Sequence, residues 1–174
     1  DKALKVYNVL VQHTHQMAKE IQAKKFLYFS SFIDDSAQWN GCQRMVQQGD
    51  DLGLRMFNAI EEVRKLGHDK IVVIGTDCFE LTSEILTEAF QKLESSDYVI
   101  GPAHDGGYYL IGAQKADEEV FIGKEWSTET VFEEASQNIA KIDKTLSVLE
   151  ALSDVDYEED LKSLKEIVQL SLIH

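Results

Sequence analysis

Leu4, Tyr7, Leu10, Val11, Thr14, Met17, Ala18 and Ile21 recur at steps of three and four, which predicts an amphipathic helix across residues 2 to 23. The short apolar run KFLYFS at 25 to 30 predicts a buried strand. Residues 31 to 49 hold no sustained period and predict a long loop, in which Trp39 would either stack on a ligand or pack over a core edge. From Asp50 the helical period returns with Leu52, Met56, Ile60, Val63 and Leu66 on one face, and Gly67 stands where a C-terminal cap belongs.

KIVVIG at 70 to 75 is nearly all apolar, the pattern of a parallel strand covered on both faces. A helix to about Leu93 follows, with Thr82 as its N-cap and Leu81 able to staple against Leu86. DYVIG at 97 to 101 and GYYLIG at 107 to 112 predict two more strands around PAHDG. Residues 113 to 127 read as irregular, and a helix is expected from Ser127 or Thr128 to about Ala140. TLSVLEAL at 145 to 152 fits a strand or a helix, and Asp156 with Glu159 has capping-box spacing before a last helix carrying Leu161, Leu164, Ile167 and Val168. Helices alternating with apolar strands predict one domain over 1–174, a three-layer α/β/α sandwich with a mostly parallel sheet, whose ligands sit at the C-terminal strand ends.

Composition narrows the partners. At 44% hydrophobic the chain can bury a sizeable core. A net charge of -14 opposes non-specific binding of nucleic acid or anionic membranes, so a phosphate ligand would need a mediating cation. Cys42 and Cys78 lack metal or redox spacing; the simplest expectation is a reduced, cytoplasmic protein, with a disulfide between them the alternative. No apolar run approaches the length of a membrane span.

The candidate chemistry lies where apolar runs stop. Asp77 follows IVVIGT, so its carboxylate can reach a cleft beyond the sheet, as a ligand for a hard divalent cation or as a turn-capping aspartate. Asp105 precedes Gly106-Gly107, a pair that allows close approach of a ligand and equally suits a tight turn. His104 beside it is a candidate acid or base, as histidine side chains can serve in either role, although a lone loop histidine is more often a bystander. Asp156 explains itself as a helix cap, whereas Asp154 has no such role and is a candidate for the same metal shell. The stretch from Gln47 through Gly49, Asp51 and Gly53 to Arg55 sets glycines at a helix start, where backbone amides can meet a phosphate or base, although on these residues alone an ordinary loop with an exposed Arg in the first turn is the favoured reading. P-loop, dinucleotide-fold, zincin and nucleophile-elbow signatures are absent. His13 and His15, two apart on a helix, face different ways and do not pair on a metal.

QQGDDLGLRMFNAI, IGTDCFELT, GPAHDGGYYLIG, the Trp126-Ser127-Thr128 triplet and DVDYEEDL, in that order, resemble bacterial GT-A-like transferases of the nucleotide-diphospho-sugar transferase superfamily, distant relatives of molybdenum-cofactor and phospholactate guanylyltransferases. The resemblance covers nearly the whole chain. It implies a GT-A sandwich with Asp77 at the acidic metal or nucleotide position, the Gly49 to Gly53 loop near the nucleoside, Asp105 and Asp154 lining the same cleft, and Trp126, Ser127 and Thr128 on the acceptor side. Phe79 stands where that family has proline. The family's first strand and its basic phosphate loop have no counterpart in these 174 residues, so the domain is expected to lack them here.

The expected function is therefore a transferase using Mg²⁺ or Mn²⁺, a nucleotide or nucleotide sugar, and a small-molecule acceptor. Glycosyl and nucleotidyl transfer both fit, and a non-catalytic nucleotide-binding domain is the alternative from another class.

Overall fold

In the computed structural model the described residues are 2–33, 39–126 and 128–153. Helix α1, Lys2–Glu20, leads to β1, Phe26–Phe29. Strand β2, Gln43–Val46, pairs in parallel with β1 as a separate two-stranded sheet. This strand corrects the loop expected over 31 to 49: QRMV is too short and too polar to declare itself, and its pairing with FLYF makes it a strand.

Helix α2, Leu52–Lys65, begins on Asp51, whose side chain accepts the Leu54 N–H, and ends before Gly67, which takes a φ of 93° and donates to Arg64 O. Strand β3, Ile71–Ile74, and helix α3, Ser83–Lys92, follow, with Thr82 Oγ1 accepting from Ile85 N as an N-cap should. Strands β4, Tyr98–Pro102, and β5, Tyr108–Ala113, form a hairpin. Helix α4, Glu118–Phe121, is a single turn inside the stretch expected to be irregular; α5 runs Val131–Lys141; and β6, Leu146–Val148, resolves TLSVLEAL as a strand. The helix expected after Asp156 lies outside the described residues.

The main sheet has the order β3-β5-β4-β6. Its strands β3, β4 and β6 share one direction, but β5 runs against both β3 and β4. The mostly parallel sheet expected from sequence is corrected accordingly. The five residues between β4 and β5 can close a hairpin but cannot carry a crossover, so β5 must reverse.

Alternation along these strands sorts side chains to two cores. Val99 and Leu110 join Met17 of α1 and Ile85, Leu86 and Ala89 of α3 on one face. Tyr98, Ile100 and Ile111 join Ile60 and Val63 of α2, Phe121 of α4 and Ile139 of α5 on the other. Helices on both faces make the α/β/α sandwich that was expected. Among the described residues no helix is long and apolar enough to cross a membrane.

Candidate functional site

Strand direction collects the candidates. With β3 and β4 co-directional and β5 reversed, the C-terminal ends of β3 and β4 and the start of β5 share one end of the sheet. Asp77 lies just past β3, and His104 and Asp105 lie in the β4–β5 turn. The strand β6 leaves at the same end, where Leu152 bridges to Ala103 and accepts from His104 N at 3.0 Å. Ser153 is fixed against the loop after Asp77: its N–H donates to Glu80 Oε2 at 2.7 Å and its carbonyl accepts from Cys78 Sγ at 3.7 Å. The backbone is thus delivered beside that loop one residue before Asp154, which itself lies outside the described residues.

Asp77 is exposed, and its carboxylate makes no hydrogen bond or ion pair with the described residues. Its Oδ1 lies over Gly75, where an added methyl would overlap it. Among the described residues no group of three or more His, Cys, Asp or Glu is placed to hold a metal. Magnesium needs only one or two protein carboxylates and fills its other positions with water and phosphate oxygens, and an uncommitted carboxylate at a strand end fits that habit.

Asp105 is exposed and its Oδ1 accepts from Gly107 N at 2.8 Å, so one oxygen shapes the turn. Gly106 N donates to Ala103 O at 3.1 Å and closes the hairpin, with Gly106 at a φ of 93°. His104 is also exposed.

The glycine loop holds itself together. Gln47 N donates to Phe29 O at 2.8 Å, fixing the exit of β2. Gly49, at a φ of 141°, has Arg55 N 2.9 Å from where a Cβ would stand, and its carbonyl accepts from Arg55 Nε at 3.0 Å. Asp51 caps α2 through a 2.8 Å bond from Leu54 N. Asp51 and one edge of Arg55 are therefore engaged in building the loop.

The structure ties this loop directly to the Trp126 segment. Gly53 is buried, and a Cβ there would overlap both Phe121 O and the indole of Trp126. The Trp126 ring meets Tyr108 edge-on, with centroids 6.2 Å apart. The same segment reaches the β4–β5 turn: a Cβ on Gly106 would overlap Glu129 O, and Phe132 N donates to Gly106 O at 2.9 Å. Thr128 Oγ1 donates to Glu125 O at 3.2 Å and so shapes the bend between them. Ser127 lies outside the described residues.

Sequence reasoning missed Tyr108 and Lys124. The Tyr108 hydroxyl, Lys124 Nζ and Trp126 Nε1 are buried donors without partners. Burial pushes the Tyr108 hydroxyl well above its usual range and holds the Lys124 ammonium below its own. The available signals were the tyrosine directly after the glycine pair and the lysine two residues before Trp126.

The comparisons bear out the expected fold, that of nucleotide-diphospho-sugar transferases. A protein from Desulfovibrio desulfuricans G20, provisionally assigned as a nucleotide-diphospho-sugar transferase, superposes with a TM-score of 0.82 at 30% identity, over 90% of this chain and 71% of that one. The fold alone is shared with CMP:2-keto-3-deoxy-manno-octonic acid synthetase complexed with CTP, with a TM-score of 0.64 at 11% identity over 93% of this chain and 88% of that one. Residues 11–128 match the family described as an uncharacterized protein conserved in bacteria (DUF2064), and the chain belongs to that family. A comparison with curated proteins gives no match.

Proposed function

We propose that this protein is a transferase that binds a nucleotide or nucleotide sugar at the end of the sheet where Asp77 and Asp105 stand. The carrying observation is that co-directional β3 and β4 bring both acids to that end, the position at which open α/β sheets bind ligands. The fold shared with a synthetase described as a CTP complex supports a nucleotide as the ligand.

In this reading Asp77, together with Asp154, would hold Mg²⁺ or Mn²⁺. The bound cation would neutralise charge on the nucleotide phosphate oxygens. The loop from Gln47 to Arg55 orients the nucleotide, and Trp126 and Thr128 border the acceptor, with Ser127 between them. His104 or Asp105 receives the proton of the attacking acceptor group. Attack by an acceptor hydroxyl on the sugar carbon releases a nucleoside diphosphate; attack by an acceptor phosphate on the α-phosphorus of a nucleoside triphosphate releases pyrophosphate. The thiols of Cys42 and Cys78 support a reducing, cytoplasmic location.

The test is a thermal-shift panel of nucleotides and nucleotide sugars with and without Mg²⁺ or Mn²⁺, because a ligand that binds only the folded state raises its stability. At least one nucleotide should stabilise the protein only with metal present, and Asp77→Ala should abolish that gain. Metal-dependent stabilisation unchanged in Asp77→Ala would remove Asp77 from the site.

A further inference from the structure

A cavity of about 130 Å³ opens between the second half of α1 and the turn that leads into β2, lined by His15, Lys19, Lys25, Asn40, Gly41 and Cys42. It adjoins the N-terminal end of β2, whereas the glycine loop leaves the C-terminal end. The four residues of β2 set the two apart by roughly 13 Å.

Its chemistry runs against that of the molecule. The chain carries a net charge of -14, yet among the described residues the ionic side chains lining this cavity are cationic, with no carboxylate. Neither Lys19 nor Lys25 enters an ion pair with the described residues. Lys25 Nζ donates to Ile21 O at 2.6 Å, which anchors the head group and uses one of its three N–H donors. His15 packs tilted against Trp39, with ring centroids 4.7 Å apart and planes at 40°, and its Nε2 is buried without a hydrogen-bond partner among the described residues. Burial pushes the Cys42 thiol up while Lys25, Arg44 and Lys19 pull it down, so cationic fields from two elements and their flanks converge here. Buried polar nitrogens are ordinarily satisfied, and in its Nε2–H tautomer this one, beside two cations that make no ion pair with the described residues, has no acceptor among them.

We propose that this cavity binds a small oxyanion of the phosphate class, held by the Lys19 and Lys25 ammonium groups and by an N–H of His15 at Nε2, with the Asn40 amide at its rim. The volume accommodates one tetrahedral ion and leaves the mouth for an ester substituent, so free phosphate and the phosphoryl end of a small metabolite share the recognition. The site is independent of the nucleotide reading.

The experiment titrates inorganic phosphate, and in a parallel arm glycerol 3-phosphate, into the intact protein at ionic strength held constant with sodium chloride. The His15 imidazole resonances, assigned by their loss in His15→Gln, are followed together with the unfolding temperature. Either ligand should shift the His15 signals saturably, and the tighter of the two identifies the source. Lys19→Met, an exposed change that spares the fold, should weaken binding about tenfold, the loss expected for one charge-assisted contact. Lys25→Met should do the same, and Asp77→Ala should leave the titration unchanged. No saturable change at His15 overturns the proposal, as does one that both lysine variants leave intact. Loss of the response in Asp77→Ala also overturns it, because the phosphate would then be reporting on the Asp77 site.

Discussion

The α-carbon of Gly53 lies against the indole of Trp126, with no room between them for a methyl group. That contact joins the first turn of α2 to a segment more than 70 positions further along the chain. Tyr108 meets the same ring edge-on, and the segment continues to Gly106. The glycine loop, the indole and the β4–β5 turn thus form one packed unit at the sheet end.

Gly53→Ala should therefore destabilise the protein although alanine is the better helix former. Inserting a methyl into a filled space costs about 1 to 3 kcal/mol. Urea unfolding of the two proteins measures it, and a neutral or stabilising result would mean that the Trp126 segment moves aside freely.

Gly106→Ala meets two obstacles at once: a φ of 93° and Glu129 O in the path of its Cβ. The backbone conformation alone costs about 1 to 2 kcal/mol. The variant should lose at least that much stability, and because Asp105 takes its position from the same turn, it should also lose nucleotide-dependent stabilisation in the thermal-shift panel.

What could be read from the chain and what could not follow from the range of the interactions. Thr82, Gly67 and the period of α2 act within one or two turns, so their roles are visible in adjacent residues. The acids Asp77 and Asp105 were legible because strand ends are marked by abrupt loss of apolar character. Strand β2 and helix α4 were not legible: one depends on pairing with β1 and the other on packing of Val120 and Phe121 into the core under α2. The reversal of β5 followed from a loop length that was in plain sight, but the alternation of helices and strands suggested parallel order. The Gly53–Trp126 contact has no local signature at all.

Asp77→Ala separates function from stability. The side chain is exposed and bonded to nothing in the described residues, so its removal should change stability by no more than about 0.5 kcal/mol. An unchanged unfolding midpoint without ligand, together with loss of the metal-dependent shift, is the expected pair of results.

Tyr98 is fully buried, and its hydroxyl both donates to Asp117 Oδ2 and accepts from Asp117 N, each at 2.9 Å. Burial, then the bond and charge of Asp117, raise its pKa beyond ordinary reach, so it stays neutral. Tyr98→Phe keeps the ring but strands the Asp117 N–H at the start of α4. A loss of about 1 to 3 kcal/mol is expected by chemical denaturation, the penalty for an unsatisfied buried partner.

Asp97 gives the acid limb of stability a specific origin. Its Oδ2 accepts from Thr145 N at 2.9 Å and from Thr145 Oγ1 at 2.7 Å, and its Oδ1 accepts from Lys144 Nζ at 3.0 Å, which pins the start of β4 to the start of β6. The Thr145 backbone bond, then its hydroxyl and Lys144, lower the carboxyl from 3.8 to about 2. A depressed carboxylate stabilises the fold fully above its unfolded value and loses that contribution as pH falls through the folded one. Stability conferred by Asp97 is thus complete above about pH 4 and disappears toward pH 2. Because the group is partly exposed, solvent screening limits the effect to about 1 kcal/mol. Asp97→Asn should be less stable than the parent at pH 6, and the gap should close between pH 4 and pH 2 in parallel unfolding curves; a gap constant across that window would place the contribution in hydrogen bonds that survive protonation.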